Sequence, residues 1–157
     1  MNQPFTHLND SGEAKMVDVT GKNVTERSAT ARGRVTMSPD VVAALRNGDL
    51  PKGDALSVAR IAAIQATKRT PDLIPLCHPI AVHGVDVTLA VDDSGVTITA
   101  TVRTADRTGV EMEALTAVSV GALAVIDMVK GMDRMAAIEQ VELIEKRGGR
   151  SGHWTRP

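Results

Sequence analysis

An α+β sandwich, with a four-stranded antiparallel sheet and helices packed on one face, is predicted by three features of the chain. Residues 25–37 and 82–103 alternate apolar and polar side chains with the period of half-buried strands. The second run is broken by Asp92-Asp93-Ser94-Gly95, a turn signal that folds it into a hairpin. Ala-rich helical stretches stand between the first strand and the hairpin, and again between the hairpin and a last short strand. The order strand, helix pair, strand, strand, helix, strand makes two right-handed βαβ crossovers interleaved around a hairpin, which is the ferredoxin-like arrangement.

Each element has its own signal. From Thr25 to Met37, the residues Ala29, Ala31, Gly33, Val35 and Met37 share one side; Ser28, Thr30, Arg32, Arg34 and Thr36 share the other. Ser38-Pro39 supplies an N-cap and a proline at the first helical position, so Asp40 to Asn47 reads as a short helix stopped by Gly48. Asp49 to Gly53 is a loop. Asp54 to Lys68 reads as an amphipathic helix with Val58, Ile61, Ala62 and Gln65 spaced along it. Pro75 and Pro79 each fix their own φ and push the preceding residue toward extended conformations, so Leu76, Cys77 and His78 form a stiff wall. Val82 to Val91 and Val96 to Arg103 are the arms of the hairpin, rich in Val, Ile and Thr. A long helix follows from Val110 to Val129, ending at Gly131, and a last strand spans Val141 to Lys146 before a glycine-rich basic tail. No repeat or low-complexity linker interrupts residues 1–157, which read as one domain with flexible ends at 1–12 and 153–157. The abundance of Ala, Gly and Ser from Ala114 to Ala124 predicts close backbone packing, part of it between subunits.

Composition excludes several classes. With 18 Lys+Arg against 19 Asp+Glu, the net charge of −1 gives no overall field to gather nucleic acid or membrane. Aromatic residues are 1% of the chain, too few for a platform on which bases stack. Cys77 is the one cysteine, so no disulfide framework exists, and with His7, His78, His83 and His153 it has no zinc-ligand spacing. The longest uninterrupted run of small and apolar residues, around Ala117 to Ile126, is short of a membrane span. The polar N-terminus lacks the layout of a signal peptide. The expectation is a soluble cytoplasmic protein.

The chemistry-bearing segments are Leu76-Cys77-His78 between its prolines; Lys52-Gly53-Asp54; Gly109-Val110-Glu111-Met112-Glu113; Ile126-Asp127-Met128-Val129-Lys130; and Lys146-Arg147-Gly148-Gly149-Arg150-Ser151-Gly152. Taken singly, most have an ordinary structural explanation. A loop lysine is usually a solvated charge. Asp127 and Lys130, three apart on one helix face, could be a surface pair worth a few tenths of a kcal/mol. Glu111 and Glu113 suit the positive end of a helix dipole. The tail is not a Walker loop, yet glycines beside basic side chains make a phosphate cradle of backbone amides and cations.

In this order and spacing, and with Met16-Val17-Asp18-Val19 near the start, these segments resemble the cyclic pyranopterin monophosphate synthase family of molybdenum cofactor biosynthesis, from Phe5 to Gly152. The resemblance implies a ferredoxin-like fold and a lyase that converts cyclised dihydroguanosine triphosphate into a pyranopterin bearing a cyclic phosphate, releasing pyrophosphate. It implies Lys52 and Lys130 as proton-transfer groups, Asp127 holding Lys130, and His78 as substrate contact or acid. Leu76, Cys77, Met112 and Glu113 would contact the substrate, Glu113 orienting the guanine-derived ring, with Glu111 beside them; Arg27, Lys68, Lys146 and Arg150 are the phosphate candidates. No cofactor is required, though Mg2+ could accompany the phosphates, and no metal ligand set is expected. The partner is a second copy of the chain, in a hexamer built as a trimer of dimers with sites at the dimer interface; neither nucleic acid nor membrane is a partner. Arg147 and Arg150 stand where the family usually has Ser and Lys, which keeps the charge at 150 and adds one at 147. Glu113 and Asp127 lie fourteen residues apart, roughly 21 Å along one helix, so a single substrate reaches both only if a two-fold partner supplies one of them. The rival reading is a non-catalytic oligomeric sensor of nucleotides or anions.

Overall fold

The computed structural model describes residues 6–157. The strands are β1 (Thr25–Thr36), β2 (Gly84–Val91), β3 (Gly95–Asp106), β4 (Ala137–Arg147) and β5 (Trp154–Thr155); the helices are α1 (Pro39–Asn47), α2 (Ala55–Thr67), α3 (Thr70–Leu73) and α4 (Glu111–Val129). All strands pair antiparallel in the order β2-β3-β1-β4-β5. The first four strands, in the order β2-β3-β1-β4, have the expected ferredoxin-like arrangement, and β5 is an addition at the edge beside β4. The residues expected to trail off at 153–157 instead return along β4: Lys146 pairs with Trp154, and the Arg156 amide donates to the Ile144 carbonyl. At the other end, residues 1–5 lie outside the described residues, and Leu8 bridges to Ala14.

One face of the sheet carries the core. Ala29, Ala31 and Val35 of β1 and Val96, Ile98, Ala100 and Val102 of β3 are buried beneath α4 and α2. Ile98 is the bulkiest of the fully buried side chains; the rest are mostly Val and Ala. Such a core fills only if backbones come close. Gly33 lets α4 settle on β1, where a Cβ would stand 3.2 Å from Val118 Cβ, and Gly121 brings α4 to α2, where a Cβ would stand 3.3 Å from Ala63 Cβ. The expected close packing of small residues is present within the chain.

That packing reverses one expectation. The buried stripe of α2 is Ala55, Ala59, Ala63 and Ala66, whereas Val58 and Ile61 face away from the sheet, Ile61 at 64% exposure. Leu123 of α4 is likewise turned outward. Alternation of size rather than hydrophobicity selected the inner face, because only Ala fits between two helices this close. α4 itself is long and apolar enough by length and composition to cross a membrane, contrary to the short span expected of Ala117–Ile126, but it packs against the sheet and α2, with more than half of it buried.

Local signals account for most boundaries. Gly48 at φ 75° closes α1, and its amide and that of Asp49 cap the Ala44 carbonyl. Ser38 begins α1 without a side-chain capping bond; its own amide donates to Asp133 Oδ2 at 2.8 Å. Asp54 does cap α2, accepting from the Ser57 amide at 3.0 Å. The short α3 is not among the expected elements; its signal is Thr70-Pro71-Asp72, a proline in the first turn with an acid beside it. β4 starts four residues earlier than its alternation indicates, because bulges between Thr30 and Ala31 and between Arg34 and Val35 break its pairing register with β1.

Candidate functional site

Two clusters form at opposite ends of the unbroken helix α4. At its C-terminal end, Asp127 lies between two lysines: Lys130 Nζ approaches Oδ1 at 2.7 Å and Lys52 Nζ approaches Oδ2 at 3.1 Å. Lys130 was within reach by helical spacing; Lys52 arrives from the loop before α2, which runs antiparallel to α4. Lys52 also donates to the Asp127 main-chain carbonyl at 2.8 Å, so it caps the last turn of α4. The two ammonium groups, Lys130 first, hold the Asp127 carboxyl below the usual carboxylate range. All three side chains remain about half exposed. The result is two lysines at fixed separation from one ionised carboxylate, open to a ligand.

At the N-terminal end of α4, a cavity of about 400 Å³ is walled by Leu76, Cys77 and His78 on one side, by Gly109, Glu111, Met112 and Glu113 on another, and by Val17, Val19 and Lys22 on a third. The wall of residues 76–78 is not a plain extended stretch. Pro75 sits in a turn closed by the Cys77 amide on the Ile74 carbonyl at 3.1 Å, proline being favoured at the second position of such a turn. The backbone runs without regular structure from there to β2.

His78 Nε2 lies 2.6 Å from the Val17 carbonyl. A carbonyl only accepts, so Nε2 carries a proton, and a neutral His78 keeps its lone pair on Nδ1. Val17 and Val19 are half-buried at the cavity, while Asp18 between them is exposed. Asp18 is held below the usual range chiefly by the Thr20 side chain and amide, and also by His78.

Glu113 is 3% exposed. Burial pushes its carboxyl up to about 7, opposed by a bond from its own backbone amide and reinforced by neighbouring Glu111. Near neutral pH it can therefore donate or accept, which widens the acceptor role expected of a carboxylate toward guanine-type donors. Burial, then the proximity of Glu113, push the Cys77 thiol up as well. A thiol so disfavoured as thiolate serves as a small apolar wall. Glu111 is partnered by Lys146 at 3.5 Å, and Lys146 also donates to Ser151 Oγ. Lys146 thus ties the glycine-rich turn to the start of α4.

A second cavity, about 790 Å³, adjoins the first, with Lys22, Thr108 and Gly109 in both walls. Arg27, Arg107, Arg150, Gly149 and Ser151 also line it, and no carboxylate does. Arg27 is fixed there: Nε donates to the Asp106 carbonyl at 3.0 Å and Nη2 to the Arg107 carbonyl at 3.2 Å. Gly149, at φ +71°, lies over its guanidinium, and a Cβ at that position would stand 2.1 Å from Nη1. Two of the phosphate candidates, Arg27 and Arg150, therefore meet in one cationic cavity. Lys68 does not join them; it lies in a separate groove with Ile61, Ile64, Gln65 and Arg69. Arg147 turns instead to Glu145 at 2.7 Å. Sequence reasoning missed Lys22 and Arg107. The clue was adjacency: Arg107 directly precedes the Thr108-Gly109-Val110-Glu111 run.

Among the described residues, no group of three or more His, Cys, Asp or Glu side chains gathers as a metal site.

Residues 16–149 match the model of the MoaC family. The chain belongs to that family. It is 62% identical over 152 residues to the cyclic pyranopterin monophosphate synthase of Streptomyces coelicolor, covering 97% of this chain and 89% of that protein. The corresponding synthase of Nocardioides is 59% identical over 156 residues, 98% and 96% of the two chains. Cyclic pyranopterin monophosphate synthase 2 of Mycobacterium tuberculosis is 55% identical over 152 residues, 97% and 91% of the two. The MoaC match spans both ends of α4, from Val17 beside His78 to Gly149 over Arg27.

Proposed function

We propose that this MoaC-family chain is a lyase that converts 3′,8-cyclised dihydroguanosine triphosphate to cyclic pyranopterin monophosphate and releases pyrophosphate. The observation that carries the reading is the pair of joined cavities: a half-apolar one with a buried titratable carboxyl, suited to a guanine-derived ring, opening into one lined by arginines, suited to a triphosphate. The printed names of relatives 55–62% identical over nearly the whole chain support the same chemistry.

In this reading Glu113 orients the ring, Leu76, Cys77 and Met112 pack against it, and His78 presents Nδ1 to the substrate. Arg27 and Arg150 neutralise phosphates; Lys146, paired with Glu111, braces the turn that carries Arg150. Lys52 and Lys130 transfer protons, held by Asp127. Magnesium would accompany the phosphates rather than occupy a protein site. α4 is continuous, so one chain does not bring Asp127 to Glu113. A second copy supplies the missing half, and the outward Val58, Ile61 and Leu123 form an apolar surface on which it can sit, in a trimer of dimers in the cytoplasm.

Incubation with the cyclised triphosphate, following pyrophosphate and the fluorescence of the oxidised pterin, tests the assignment. Stoichiometric release of pyrophosphate with pterin formation is expected. Tight binding without release would make the chain a sensor.

A further inference from the structure

The N-terminal segment, residues 6–24, walls both cavities but adds nothing to the core. Every residue in it is exposed or half-buried, and its regular structure is limited to the Leu8–Ala14 bridge and local turns. Among the described residues, two hydrogen bonds tie it to the body of the domain: Val17 accepts from His78 at the ring cavity, and the Lys22 carbonyl accepts from Arg107 Nε at 3.0 Å at the phosphate cavity.

Arg107 stands at a junction. Its carbonyl accepts from Arg27 Nη2, its amide donates to Asp106 Oδ1 at 2.6 Å, and its side chain reaches across to the segment. With Nε used on Lys22, the four N–H groups on its terminal nitrogens have no acceptor among the described residues, in a wall that also holds Lys22, Arg27 and Arg150. Like charges gathered without a carboxylate repel one another. An anion seated among them removes that repulsion and fixes the Arg107 fork through paired N–H bonds.

We propose that Arg107 is a positioning residue that couples the two cavities: an anion bound against its guanidinium secures the Lys22 carbonyl on Nε, and the N-terminal segment closes over the ring. This rests on reading the cationic cavity as the phosphate subsite. The triphosphate then builds the ring site that its own base enters, and His78 receives Val17 as part of the same closure.

The experiment uses the full chain, with sodium pyrophosphate as the probe. Amide hydrogen exchange across residues 16–24 and tryptic cleavage after Lys22 are measured with and without the anion, for the wild type, Arg107→Ala and Arg107→Lys; anion affinity is measured alongside. Arg107 is exposed, so neither substitution threatens the core. In the wild type, pyrophosphate should slow exchange and cleavage about fivefold or more, within the ordinary range of coupling between sites. In Arg107→Ala the slowing should vanish while pyrophosphate still binds through Arg27 and Arg150, and with the true substrate KM should rise more than kcat falls. Arg107→Lys, which keeps the charge but lacks the fork, should bind pyrophosphate without restoring the protection. Equal slowing in the wild type and Arg107→Ala overturns this inference and leaves the phosphate assignment standing. Failure of pyrophosphate to bind the wild type overturns both.

Discussion

Glu113 shows how one buried carboxyl links stability to function. Its folded value of about 7 stands above the ordinary 4.5, so between those pH values the folded chain binds more protons than the unfolded one. Stability therefore falls as pH rises through that window, by on the order of 3 kcal/mol in all. Glu113→Gln keeps the shape without the charge. It should raise the Tm at pH 8 and leave it nearly unchanged at pH 4, as thermal unfolding at the two pH values will check; equal effects at both would mean that Glu113 is ionised throughout. The lysines at the other end of α4 invite a kinetic comparison. Lys52→Ala and Lys130→Ala should each lower kcat by about two to four orders of magnitude with ligand affinity mostly kept, the scale of lost proton transfer. Wild-type turnover in both would reduce the pair to a cap on α4 and a surface ion pair.

At the scale of elements, the contact between α2 and α4 depends on the absence of side chains. A Cβ on Gly121 would stand 3.3 Å from Ala63 Cβ, closer than an ordinary contact, and 3.5 Å from the Ala59 carbonyl. Gly121→Val would drive two methyls into α2, and overpacking of this kind costs about 1–3 kcal/mol. A fall in denaturation midpoint of that size, with a clearly smaller fall for Gly121→Ala, is expected. The consequence for function is direct, since α2 and the loop before it carry Lys52 to Asp127. A shifted α2 should depress turnover beyond the loss of stability. At the other end of α4, the end of β4 brings Lys146 to Glu111, and the glycine turn after it lies against Arg27.

At the scale of the whole molecule, the proposed catalytic set is divided between the ends of a 19-residue helix. If a two-fold partner unites them, Asp127→Asn and Glu113→Gln should each be inactive alone but recover activity when subunits are exchanged, because half the sites of a mixed dimer carry neither change. Native mass spectrometry establishes that exchange occurred. Mixed dimers that form and remain inactive would place the whole reaction within one chain. The outward Val58, Ile61 and Leu123 bear on the same question, since apolar side chains of that size on adjoining helices are poorly served by water.

Much of the fold was present in the local pattern. Strand alternation, the Asp92–Gly95 turn, the proline and glycine boundaries of α1 and the length of α4 are short-range properties, so the four-stranded ferredoxin-like order could be derived without coordinates. The pairing of Asp127 with Lys130 was likewise a matter of helical spacing. Long-range packing decided the rest. Which side of α2 is buried depended on how near α4 could come, so the Ala stripe went inward against the hydrophobic expectation. Lys52 met Asp127 because the two helices run antiparallel, and Arg107 gained its place by holding a carbonyl 85 residues away. No periodicity records such contacts, because they are made between elements whose separation along the chain carries no information about their separation in space.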